Sequence, residues 1–438
     1  MRTPVGSDLK RWLHMVAATV HGKVKRLLTW FGFGLLVGLV FLLRPLANVR
    51  LAVFRAEKLG HFVSESDLML IGLTEKWRVK ERLSRQKNIL VMPAVPSNSQ
   101  IRDMYLRAVG NIEDVTALNC ESSRLGRLLQ APTRLLTTKA QREGRFTNFF
   151  AGSMHSGGLH HTGLFSPEMP ILSFTPAEIE RGWMELEHWG LQRDAAYVCV
   201  HIRDSAYLAS SEPWRDWSYH DYRNPDLWRY IPTIQFLLSR GYFVFRMGRI
   251  AETPLPLSHP NLIDYAFSTN QSDFLDVFIY AHATMQISGG ASGIDNLGYA
   301  FLRPAVLLDL IPFQPQIAIP NLVVAPALLQ DESSGSLLPL SEMARHQYFR
   351  TDQYQDAGLR ILRTTENEIL DAVREGLARS SGNWTTDTSD TTDQVRFWEW
   401  FQVCGLNDGT RVGPERSRYY QHHLAQTFFR NHRAALLS

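Results

Sequence analysis

Short apolar runs alternate with stretches whose apolar residues recur every three or four positions, and this alternation persists from Val49 to Leu310. It predicts strands and helices in turn, hence an α/β protein with a parallel sheet. Val49 to Phe54 and Asn88 to Met92 read as strands, the second leading through Pro93, Pro96 and the capping residues Ser97 to Ser99 into a helix over Gln100 to Val109. Between Thr137 and Ser173 the pattern weakens into a loop-rich stretch. Thr175-Pro176-Ala177-Glu178 then opens a helix with a capping box, with Ile179, Trp183 and Leu186 on one face and Gly190 as the stop.

The second half is more regular. A strand over Ala195 to Ile202 is followed by an aromatic loop, and Asn224-Pro225 starts a helix carrying Leu227, Ile231, Ile234 and Leu238, ended by Gly241. Tyr242 to Phe245 is the next strand, and Asp273 to Ala281, Met285 to Ser288, Ile294 to Phe301 and Ala305 to Leu310 continue as helix, strand, helix and strand. Beyond Pro312 a helix is expected over Glu366 to Leu377, and residues 380–394 form a Ser/Thr/Asp-rich linker. Phe397, Trp398, Trp400 and Phe401 are expected to cover the body of the protein.

The longest apolar run lies elsewhere, at Leu27 to Leu43, near the lower limit for spanning a bilayer. Nine of the 46 Lys and Arg residues precede Glu57 against Asp8 alone, so the net charge of +3 is an N-terminal feature and the rest is slightly acidic. Basic residues on both sides of the run favour membrane attachment, peripheral or single-span, over a cleaved leader. At 438 residues with 45% hydrophobic and 20% charged content, the chain divides into 1–48 as a membrane-associating segment, 49–174 and 175–345 as two α/β domains, and 346–438 as a helical extension. Cys120, Cys199 and Cys404 are too few and scattered for a disulfide framework, which fits a reducing compartment, and Cys199 reads as a core residue.

Polar residues collect where the predicted strands end. His201, Arg203 and Asp204 follow one strand, and a guanidinium at that place suits a phosphate or pyrophosphate. Ser288-Gly289-Gly290-Ala291-Ser292-Gly293 joins another strand to a helix, where free N–H groups attract phosphate oxygens; a tight structural turn accounts for it equally well. Arg246 or Arg249 offers a second cation, and Asp264 with Tyr265 a place to read a ribose, base or sugar hydroxyl. Ser272 and Asp273 offer the same place, with helix capping an equally good account of them. Tyr222, Arg223 and Asn224 close the aromatic loop that starts at Trp214, which suits stacking on a sugar and equally suits packing between domains. His155, His160 and His161 lack a helix or carboxylate partner and read as a polar loop rather than a metal centre.

The segments YVCVHIRDSAYL, YRNPDLWRYIPTIQFLLSRGYFVFRMG, IDYA, SDFLDVFIYAHA and SGGASG resemble those of a bacterial glycosyltransferase family associated with surface-polysaccharide biosynthesis. KLGHF resembles that family's first Gly-His loop, with Lys58 where arginine is usual, and His201-x-Arg203 is distantly similar to the His-x-Arg element of fucosyltransferase-type enzymes. The resemblance runs from about Leu51 to Pro312 and implies a GT-B-like fold, two facing Rossmann-like domains, here behind an N-terminal hydrophobic helix. It implies a metal-independent transferase without cofactor, whose nucleotide-sugar donor binds the C-terminal domain through His201, Arg203, Arg246, Asp264, Ser288, Gly289, Gly290, Ser292 and Gly293. A glycan or lipid-linked acceptor would approach from the N-terminal side, at the cytoplasmic face of the inner membrane, with no nucleic-acid partner. Transfer requires a proton to leave the acceptor hydroxyl, for which His61 and Asp204 are the candidate bases. A nucleotide-sugar epimerase of the same fold and a non-catalytic nucleotide-binding scaffold are the rival readings.

Overall fold

The computed structural model describes residues 48–73, 86–143, 170–193, 195–312, 321–343, 345, 346, 348–403 and 423–438, together with the helical positions 31, 32, 34, 35, 38 and 42. Most of the apolar run Leu27 to Leu43 and all of His155, His160, His161 and Cys404 lie outside the described residues.

The chain opens with β1 (Asn48–Val53), α1 (Leu59–Leu73), β2 (Gln86–Met92), α2 (Ser99–Gly110), β3 (Val115–Asn119) and α3 (Arg124–Glu143). Its strands form a parallel three-stranded sheet in the order β1-β2-β3. Leu51, Ala52, Leu90 and Val91 are buried, as expected for strands covered on both faces. Asn98 caps α2, its side chain accepting from the Ile101 N–H.

The second unit contains α4 (Pro176–Glu187), β4 (Tyr197–Ile202), α5 (Ala206–Ser211), α6 (Ile231–Ser239), β5 (Phe243–Arg246), β6 (Leu262–Ile263), α7 (Asp273–His282), β7 (Met285–Gly289), α8 (Asp295–Ala300), β8 (Ala305–Leu310) and β9 (Leu322–Pro326). There follow β10 (Leu328–Asp331), α9 (Leu340–Met343), α10 (Thr351–Asp356), β11 (Leu359–Leu362), α11 (Glu366–Ser380), α12 (Thr388–Val403), β12 (His423–Leu424) and α13 (Gln426–Leu436). The large sheet runs β12-β9-β8-β7-β4-β5-β6, with every pairing parallel, while β10 and β11 form a separate antiparallel pair. Counted from β4, its first six strands stand in the order 3-2-1-4-5-6, the doubly wound arrangement.

Several expectations are corrected here. The helix expected from Asn224-Pro225 is a 3-10 turn over Leu227–Tyr230 before α6 begins at Ile231, since Pro232 suits a first helical turn. The polar stretch 380–394 is a linker only as far as Asp387; α12 starts at Thr388, where Asp390 is buried against Arg430. Phe397 is fully buried in the core of the large sheet and so covers the body, and buried Cys199 lies within its strand.

The two sheets share one core. A single apolar cluster takes Ala52, Phe62 and Tyr105 from the first unit and Trp183, Phe245 and Phe278 from the second. Polar ties reinforce the seam: the Ser99 N–H and hydroxyl both donate to Asp273 Oδ2 at 2.8 Å, and Asn98 Nδ2 donates to the Asp273 carbonyl at 3.0 Å. Among the described residues no helix is long and apolar enough to cross a membrane.

Candidate functional site

The strand order of the large sheet reverses between β4 and β7, and ligands of such sheets bind outside the carboxyl ends of the strands at that point. Arg203 stands there. Its N–H donates to the Gly289 carbonyl at 2.9 Å, which ties the end of β4 to the end of β7. Its guanidinium is buried and donates to the Asn224 side-chain oxygen and, at 3.4 Å, to the His220 carbonyl. Among the described residues no carboxylate touches it. Burial, together with the neighbouring Arg223, holds its pKa down to about 10. Arg223 in turn donates to the Ala291 carbonyl, so two adjacent guanidinium groups rest on neutral acceptors.

His220 lies among these charges. Burial first, and then Arg203, Arg223, Lys58 and Arg215, push its pKa down to about 4. Its ring stacks on Trp217 at 5.8 Å and packs on Tyr219 at 4.2 Å, while Arg215 and Lys58 sit over the Trp217 ring at 4.2 and 5.2 Å. His201, one strand residue before Ile202, is pushed down to about 3 by burial and by Arg246 and Arg203, so it is neutral. Arg203, Arg223, Lys58 and Arg215 thus all act on His220, and among the described residues Glu212 is the carboxylate that comes within 4.0 Å of Lys58 and Arg215, while Asp221 and Asp204 act on Arg203 from farther away.

The glycine turn is filled by the chain itself. A Cβ on Gly289 would stand 2.5 Å from the Tyr230 hydroxyl, and one on Gly290, whose φ is +81°, would stand 2.1 Å from the Arg223 carbonyl. On Gly293 it would stand 2.9 Å from the Gly60 nitrogen. Asp295 accepts from the Ser292 N–H and the Ser288 hydroxyl, each at 2.5 Å, so a carboxylate of the chain already serves the start of α8. Burial pushes that carboxyl up to about 6. The turn at Ser288, Gly289, Gly290, Ser292 and Gly293, read as a phosphate cradle or a tight structural turn, is packed closely by the chain's own residues.

Further expectations change. Arg246 is buried and donates to Asp264 Oδ1 at 2.9 Å, while Asp264 Oδ2 accepts from the Leu255 N–H; the two residues pair with each other and brace a loop. Arg249 is held by Asp273 and Asp276. Asp204 spends one oxygen on the Ala206 N–H and the other on the Glu252 N–H, both at 3.0 Å, so it joins two loops rather than orienting Arg203. Tyr222 is buried against Tyr354, with ring centroids 5.4 Å apart, and offers no face for stacking on a sugar. Asn224 is engaged by Arg203 and donates to Asp221.

His61 lies in the first turn of α1. Its Nδ1 is 2.8 Å from Glu65 Oε1, one helical turn on, and Arg55 Nη1 donates to the same oxygen at 2.7 Å. Glu65 is buried whereas the imidazole is partly exposed, so a proton on Nδ1 directed at the carboxylate leaves Nε2 as the basic atom. The turn 289–293 touches Arg203 through Gly290 and Gly60 through Gly293, which sets His61 and Arg203 at the two ends of one short turn. Sequence reasoning missed Glu65, Arg55, Arg215 and His220, and noted Lys58 only as part of the KLGHF segment. Only the four-residue spacing of His61 and Glu65 was visible as a signal.

No family model and no curated protein matches the chain. Among solved structures, the fold is similar to E. coli ADP-heptose lps heptosyltransferase II, with a TM-score of 0.34 and 13% identity over 63% of this chain and 90% of that one. The glycosyl transferase family 9 structure from Veillonella parvula DSM 2008 gives 0.42 and 10% over 76% and 97%. An E. coli heptosyltransferase with ADP-2-deoxy-2-fluoro heptose gives 0.30 and 14% over 63% and 93%. At these scores the likenesses carry no activity over to this chain.

Proposed function

We propose that the chain transfers a sugar from a nucleoside-diphosphate donor to a hydroxyl of a glycan or lipid-linked acceptor in surface-glycan biosynthesis. One observation carries the reading. Two neighbouring guanidiniums, Arg203 and Arg223, rest only on neutral acceptors at the switch point of a doubly wound sheet, where a diphosphate would supply the missing counter-charge. The sequence resemblance supports the same class.

In the proposed reaction the bond from the anomeric carbon to the donor's diphosphate breaks, and a bond from that carbon to the acceptor oxygen forms. The leaving diphosphate keeps the electron pair, and its charge is held by Arg203 and Arg223, with Lys58 and Arg215 adding to the local field. His61 Nε2 takes the proton from the acceptor hydroxyl, with Glu65 and Arg55 fixing its ring. Asp204 is the weaker base, since both its oxygens are occupied by N–H donors. Ring orientation by a carboxylate places the lone pair without requiring any movement of the chain.

The test is a calorimetric panel of nucleotide sugars and pyrophosphate, followed by nucleotide release with a membrane extract as acceptor. At least one donor binds, and Arg203→Ala weakens it by at least about tenfold, the order expected for loss of one charge-assisted contact. Absence of binding by every donor, or unchanged binding in Arg203→Ala, removes the reading.

A further inference from the structure

The outer face of α3 carries apolar and basic side chains together. Arg124, Leu125, Arg127, Leu128, Ala131 and Arg134 are all exposed, and Leu125 and Leu128 are 55% and 72% accessible. Single exposed leucines are common, but two neighbouring ones that continue into further exposed apolar residues form a contiguous patch, which marks an interaction surface. The helical positions before β1 add to the same surface: Phe31, Leu35 and Leu42 are exposed, and Gly32 lies so near α3 that a Cβ there would stand 3.2 Å from Pro132. Pro132 is one turn along α3 from Leu128, so the two exposed apolar sets are neighbours.

We propose that α3, together with the exposed Phe31, Leu35 and Leu42, forms a face that lies in the interfacial layer of an anionic bilayer, without crossing it. Arginine beside leucine on one helix face favours lipid over a protein partner, because the exposed Arg124 can reach a phosphate headgroup while Leu125 and Leu128 enter the acyl boundary; Arg127, on the Cys120 and Glu121 carbonyls, and Arg134, on Glu57, add positive field at the same face. The surplus of Lys and Arg before Glu57 has the same sense. Position supports this occupant. α3 packs on β1, and Arg134 pairs with Glu57 in the loop that leads to Lys58, Gly60 and His61. A bilayer on this face would lie one element away from the proposed base, where a lipid-linked hydroxyl could reach it. The role of the membrane in catalysis rests on the transferase reading; the docking itself does not.

The experiment is flotation of the full chain with phosphatidylcholine vesicles, with and without phosphatidylglycerol. The wild-type chain floats with anionic vesicles, the Leu125→Glu/Leu128→Glu variant partitions at least about tenfold less, and Arg124→Glu loses binding selectively on the anionic vesicles. A wild-type chain that stays at the bottom of the gradient, or a double variant that floats undiminished, overturns the proposal. So does a lipid-free dimer that the double variant converts to monomer, since the occupant is then a second copy. Pyrophosphate binding is measured on the same variants and is expected to be unchanged. If no donor binds the wild-type chain, the transferase reading fails and the flotation result stands alone.

Discussion

Arg203 and Arg246 show how similar residues at neighbouring strand ends acquire different tasks. Both are buried, but Arg246 has Asp264 at 2.9 Å whereas Arg203 has an amide and a carbonyl. A buried cation with no carboxylate in contact, on which Asp221 and Asp204 act only from a distance, keeps a cost that an anionic ligand relieves, so Arg203 is the one available for recognition. In the first unit, His61 and Glu65 make a matching argument for proton transfer. His61→Ala should leave pyrophosphate binding intact and lower the turnover number by about 100-fold, the usual contribution of a positioned base. Glu65→Leu should lower it by roughly 10-fold, because the ring remains but its tautomer and orientation are no longer set. Steady-state kinetics with the donor held saturating separates the two, and full turnover in His61→Ala would assign the proton elsewhere. At this scale the sequence revealed Arg203 and His61 as polar residues beside strand ends. It did not reveal which arginine is paired, because pairing depends on side chains 18 residues apart, as in Arg246 with Asp264.

Elements with strong local signals were read closely. The capping box at Thr175 and Glu178 is present, and the helix expected over Glu366 to Leu377 is α11, opened by a second box at Thr365 and Glu368. Strands read from apolar runs, such as Ala305 to Leu310, also match. Elements whose residues are mixed in character were missed, β3 and α3 among them, since exposed leucines on α3 blur the helical period. The strand β12 is only two residues long and exists because β9 offers a sheet edge. α13 is tied to α11 by Glu368, which accepts from Asn431 Nδ2 at 3.1 Å and lies 2.8 Å from His432 Nε2. Burial raises the Glu368 pKa, but the bonds from His432, Thr365 and Asn431 outweigh it and hold the carboxyl down at about 2. A depressed folded pKa contributes stability that is present above the ordinary value of 4.5 and lost as the pH falls toward 2. Amide exchange in α13 should therefore accelerate across that window, and Glu368→Gln should abolish the acid dependence. Exchange that stays flat in the wild-type chain would show that this cluster does not hold the helix.

Across the whole molecule, the continuous core of Ala52, Phe62 and Tyr105 with Trp183, Phe245 and Phe278 means that neither sheet unfolds without exposing apolar surface of the other. Calorimetry should show one cooperative transition for residues of both sheets; two separated transitions would mean that the shared cluster contributes little coupling. The sequence by itself determined the class, the parallel sheet and the strand ends at which polar residues gather, because period, caps and apolar runs are local properties of the chain. Only the tertiary structure decided the order of the strands, the filling of the glycine turn by Tyr230, Arg223 and Gly60, and the approach of that turn to both Gly60 and Arg203. Those facts depend on contacts between distant segments, and a side chain's charge finds or lacks a partner only when such segments have packed.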